Sequence, residues 1–188
     1  MATPTNPAVG LSQETFWNTS QTVGIATITA GETHIGQVGT GGNIADVTPV
    51  CDTSAYTAAD VLFDATEVTN AVRLSGGRAE IVSLTVLDED DNAAAIMTLY
   101  FLRANVSLGT ANAAISITDA NAREIIGVVN IAVADWSDLI ASRLACIRNI
   151  GILVEPTTGT SIWVAAATAG TPTQTASGIK LRIGFRYH

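Results

Sequence analysis

The chain holds a single lysine, Lys180, and only 14% of its residues are charged. That is about half the share of an ordinary soluble domain. Phosphate neutralisation needs clustered Lys and Arg, so a general nucleic-acid binder is excluded. Cysteine is nearly absent. Cys51 and Cys146 stand 95 positions apart with no CxxC spacing, which excludes a disulfide scaffold and gives no metal or redox motif. Both thiols are expected to be buried, behaving as small apolar groups. The two histidines are His34 and His188, and no GxSxG elbow accompanies them, so nucleophilic catalysis lacks its usual base. The chain also lacks the Leu, Glu and Lys content of a helical bundle.

Long apolar runs are missing too. The longest charge-free stretch, between Glu155 and Lys180, contains Pro156, Pro172 and many threonines, so it is no spanning helix. The opening MATPTNPAVGLSQ has no basic start and no apolar h-region, and is not read as a signal peptide. The sequons at Asn18 and Asn105 are then read as chance matches.

What is present is 47% apolar residues in 188, with 29 Ala and 25 Thr. That is enough for one sizeable core in one domain, and too apolar for disorder. The net charge of −8 favours solubility and disfavours polyanion partners. A charge-poor surface rich in Thr and Ala points to a protein that covers much of itself with partners.

Along the chain, residues 1–18 read as an extended N-terminal arm, because Pro4 and Pro7 interrupt regular hydrogen bonding. Residues 19–188 read as one β-sandwich, jelly-roll-like, with one or two short helical turns. Strands are expected over 21–30, 44–50 (an edge strand, given Pro49), 68–74, 127–133, 150–155, 161–168 and 179–187. AEIVSLTVL (79–87) and AIMTLYFLR (95–103) flank an acidic turn and predict a hairpin with its acids in solvent. A helical turn is expected over 119–126, capped by Thr118 or Asp119. Residues 135–148 fit either a short helix or, in their second half, a strand.

The last strand is the most regular. Ile179, Leu181, Ile183, Phe185 and Tyr187 share one face; Lys180, Arg182, Gly184 and Arg186 share the other. The apolar face goes to a core. The basic face meets either solvent or an acidic partner surface.

No ligand chemistry is well supported. The cluster Asp88 to Asp91 lacks the spaced pattern of a calcium loop. GQVGTGG (36–42) has glycines but no Lys-Ser/Thr after them. Trp17, Trp136 and Trp163 allow a sugar-stacking platform, although buried or interface Trp is the commoner outcome. No active site, metal or cofactor is indicated.

Six passages carry a resemblance: THIGQVG (33–39), DTSAYTAADV (52–61), LTVLDEDDN (84–92), TLYFLR (98–103), TANAAISITDANAREIIGVVNI (110–131) and TPTQTASGIKLRIGF (171–185). In order and phrasing the chain resembles small virion structural proteins of tailed bacteriophages, of the head decoration (cement) type. The resemblance spans about residues 25–187 and leaves out the arm. It implies a non-enzymatic protein, made in the bacterial cytoplasm, that sits on the outer capsid surface. Its implied partners are the major capsid protein and itself, as a homotrimer at threefold points of the lattice; nucleic acid and membrane are not among them. Candidate capsid contacts are Pro4, Pro7 and Trp17 in the arm, and Lys180, Arg182 and Arg186 on the last strand. The alternatives are a head-fibre, tail or baseplate component, and a carbohydrate-binding β-sandwich.

Overall fold

A computed structural model describes residues 41–92 and 96–188. The arm, with Pro4, Pro7 and Trp17, lies outside the described residues, as do the expected strand 21–30 and His34. The described part is built of nine antiparallel strands in two sheets. They are β1 (Gly42–Val47), β2 (Val61–Val68), β3 (Ala79–Asp88), β4 (Met97–Leu102), β5 (Ile125–Ile131), β6 (Trp136–Asp138), β7 (Arg143–Val154), β8 (Ile162–Thr168) and β9 (Ile179–Tyr187). The five-stranded sheet runs β1-β9-β3-β7-β6, and the four-stranded sheet runs β2-β8-β4-β5.

The pairings nest. β1 pairs with β9, β2 with β8, β3 with β7, and β4 with β5. This is one long antiparallel ribbon folded back on itself, its successive pairs alternating between the sheets. Contacts of β3 with β9 and of β4 with β8 then join pair to pair. The winding is that of a jelly roll, so the expected β-sandwich is observed.

Period-two patterning explains the core. Ile179, Leu181, Ile183 and Phe185 on β9 are buried with Ile81, Leu84 and Val86 on β3. Phe63, Met97, Leu99, Phe101, Ile131, Ile162 and Val164 close over them from the other sheet. A second, smaller cluster lies elsewhere: Val61, Leu102, Leu108 and Ala165, flanked by Val106, Ile117 and Trp163. It forms because the β4–β5 connection is pinned over the four-stranded sheet. Asp64 Oδ1 accepts from the Leu108 N–H at 2.7 Å, and Asp64 Oδ2 from the Ser107 hydroxyl at 2.6 Å. Within that connection a single helical turn, α1 (Asp119–Ala122), is capped by Thr118, whose Oγ1 accepts from the Asn121 N–H. The cap falls where the sequence places it.

Several expectations are corrected. β3 and β4 do not form a hairpin; they belong to different sheets. Both edges of β3 are taken by β9 and β7, and both edges of β4 by β8 and β5. The acidic segment between them crosses the sandwich. Nor do all its acids face solvent, because Asp88 is fully buried. The strand expected over 68–74 ends at Val68 and instead begins at Val61; Asn70 follows with φ of 55°. The ambiguous stretch resolves as strand from Arg143, continuous with the strand expected over 150–155. A bulge interrupts it, where the partners jump from Ile81–Ile152 to Ser83–Arg148. Asn149 and Gly151 take positive φ there. Cys51 is buried, but Cys146 is exposed. Ala145 occupies the inward position and parity turns its neighbour outward.

Candidate interaction face

β9 sits between β1 and β3, so its outward row is flanked on both sides. Each of its cations meets an acid: two on the adjoining strands, and one on the residue that follows β3. Arg182 is in register with Asp46 of β1, its Nε 2.7 Å from Asp46 Oδ1. Arg186 is in register with Glu80 of β3 and is ion-paired to it. Lys180 Nζ lies 3.7 Å from Glu89. Lys180, Arg182 and Arg186 therefore do share one face as the alternation requires. The sequence did not reveal their acids, which come from positions 136 and 106 residues away for the two arginines. The strip is electrically balanced, not basic.

Beside these pairs the face becomes apolar. A shallow groove of about 310 Å³ runs over the sheet, lined by Thr85, Leu87, Leu144, Lys180 and Arg182 among others. Leu87 is in register with both Leu144 and Lys180, and Thr85 with Arg182 and Cys146. Cys146 Sγ is 3.7 Å from Thr85 Oγ1, which brings the exposed thiol to the groove's margin.

At the edge of the same sheet the β6–β7 hairpin ends in Leu139 and Ile140. Ile140 is 93% exposed and has φ of 76°. That left-handed conformation is unusual for a β-branched residue. Asp138 Oδ1 holds it by accepting from the Ile140 N–H at 2.7 Å, and the Leu139 N–H donates to the Ser142 carbonyl. Neither signal is visible in the sequence, since isoleucine does not announce positive φ. Arg143 at the hairpin base pairs with Asp91 at 2.9 Å and reaches Asp138 at 3.5 Å. It thereby ties the hairpin to the acidic crossing.

That crossing is a closed polar network. Asp88 accepts from the backbone N–H groups of Asp90 (3.0 Å) and Asn92 (3.2 Å). Asp90 accepts from the N–H and hydroxyl of Thr175. Buried Gln174, in the amide orientation that satisfies its neighbours, donates to Asp90 and Asp88 and accepts from Asn92. Burial pushes the Asp88 carboxyl above the usual range, against the opposing pull of its hydrogen bonds. The Cys51 thiol is pushed up to about 12, first by burial and then by Asp88 and Asp90. These carboxylates are committed to their own chain. Among the described residues no three His, Cys, Asp or Glu side chains gather as metal ligands.

The two described tryptophans do not converge. Trp136 lies on β6 and packs against the main core, while Trp163 lies on β8 in the smaller cluster. A platform built from these two is excluded by their placement in separate sheets. His188 lies 3.7 Å from Glu80 beside Arg186. Among the described residues no helix is long and apolar enough to cross a membrane.

Compared with known proteins, the chain matches no protein-family model and no curated sequence.

Proposed function

We propose that this chain is a non-enzymatic accessory protein of a bacteriophage head, a decoration protein that binds the outer surface of the expanded capsid and stabilises its lattice. The major capsid protein and further copies of the chain, as a homotrimer, are its partners. The observation that carries the reading is the neutralised face of the five-stranded sheet. Arg182, Lys180 and Arg186 are balanced by Asp46, Glu89 and Glu80, and the groove beside them is mostly apolar in its lining. Interface cores are depleted of charged residues and their rims are polar, so the paired strip fits a rim and the apolar groove a core. A rigid sandwich presenting such a face suits repeated protein contact better than chemistry on a small molecule. Jelly rolls serve in viral capsid and lectin domains, an analogy at the level of fold alone.

The mechanism is linkage. A protein that binds only the expanded shell stabilises that state by mass action. Contacts repeated over a symmetric lattice add through avidity. The test is the copy number of this chain relative to the major coat protein, by quantitative mass spectrometry of particles purified from the genome that encodes it. Roughly one-third to one copy per coat subunit is expected for a lattice-covering protein. A handful of copies per particle would move the chain to a fibre, tail or baseplate. Absence from particles would overturn the virion reading.

A further inference from the structure

The β6–β7 hairpin tip and the groove on the five-stranded sheet have matching chemistry. The tip offers an apolar knob, Leu139 and Ile140, with Asp138 beside it and Asp135 just before the hairpin. The groove offers Leu87, Leu144 and Val47, with Lys180 and the Arg182–Asp46 pair at its rim. Both cations already touch acids, yet each keeps unused N–H donors, since Lys carries three and Arg five.

Among the described residues the Ile140 backbone is held by Asp138, but its side chain gains no cover. A β-branched side chain is held at φ of 76°, where Asn, Asp and Gly occupy most other positive-φ positions among the described residues. Its side chain is left almost wholly in water. Leu139 beside it is half exposed. Burying such a knob against another surface recovers the transfer free energy that the monomer forgoes.

We propose that the occupant of the groove is the hairpin tip of a second copy of this chain. The apolar knob meets the apolar groove, and the acid beside the knob meets the cations at the rim. Knob and groove are unlike surfaces, so the contact is heterologous and closes into a ring when the rotation permits. The inference rests on the self-association named above and not on capsid binding. A ring that ignores capsids would break only capsid decoration; a monomer that decorates capsids would break this inference and the homotrimer, and leave capsid decoration standing.

The test is the mass of the free full-length protein by sedimentation velocity over a range of concentrations. Wild type is expected to assemble, and Ile140→Asp and Leu87→Glu each to weaken assembly by about tenfold or more. Ile140→Gly serves as a second knob variant, because it relieves the backbone while removing the side chain. Diluted to where both are monomers, it is expected to melt no lower than wild type, and at higher concentration still to lose assembly. Mixing Ile140→Asp, which keeps the groove, with Leu87→Glu, which keeps the knob, is expected to restore one contact and give a heterodimer. A monomeric wild type, variants that assemble as wild type does, or a mixture that stays monomeric would overturn the proposal.

Discussion

Asp88 is a carboxylate enclosed by protein at the point where the chain leaves one sheet for the other. Its two oxygens take two backbone N–H groups, those of Asp90 and Asn92, and so shape the crossing. Enclosure raises its pKa. An acid whose pKa is raised on folding binds its proton more tightly in the native state, so its penalty is largest when ionised. That penalty shrinks as pH falls from neutral through the raised value toward the unfolded value near ~3.9. Asn at this position has one acceptor oxygen and turns an NH₂ toward a backbone donor. Asp88→Asn is therefore expected to destabilise at every pH. The gap between wild type and variant should widen as pH falls, in urea titrations at several pH values. A gap independent of pH would mean that Asp88 has the same pKa in the folded and unfolded states. The cysteines make a separate prediction. Cys146 is exposed, and Cys51 is buried with its thiol pushed up to about 12. A thiol reagent should modify Cys146 alone in the native protein, with Cys51 reacting only after unfolding. Peptide mapping of the modified protein reads this directly.

Among the elements, β5 and β7 approach each other across the open side of the sandwich. The closeness depends on Gly127. A Cβ there would stand 2.6 Å from Ile152 Cδ1 and 2.7 Å from its Cγ1. Ile152 is β-branched and stiff, so it yields little. Gly127→Ala is expected to destabilise by about 1–3 kcal/mol through overpacking, and Gly127→Ala with Ile152→Val to recover part of that loss. Chemical denaturation of the three variants checks it. The elements also show where sequence reading succeeds and where it stops. β9 was legible because its alternation is unbroken from Ile179 to Tyr187. β7 was legible in part: 150–155 reads as strand, but upstream Leu139, Arg143 and Cys146 keep a helical spacing, and the bulge shifts the inward set from Ala145 and Ile147 to Ile152 and Val154. Strict alternation is lost and a helical spacing is mimicked. The supposed hairpin failed for a different reason. Two apolar strands around a turn look the same locally whether the second strand pairs with the first or passes to the opposite sheet. What decides is competition for edges by β7, β8 and β9, which lie far along the chain.

At the scale of the molecule, composition and punctuation were enough for a β-sandwich, and the nested pairing was beyond them. The interaction face was half legible: its cations stood in one row, while their acids were distant in sequence. The nesting has a consequence for how the molecule is made. β9 is an interior strand of the five-stranded sheet, between β1 and β3. Until Ile179–Tyr187 has left the ribosome, β1 lacks its partner among the described strands and one side of β3 stays open. Every earlier nascent chain therefore carries bare edges on β1 and β3. Such edges are templates for pairing with other chains. Synthesis proceeds at about 5–20 residues per second, so the interval lasts for seconds. Many copies translated side by side face a shared hazard that ends only with the final strand.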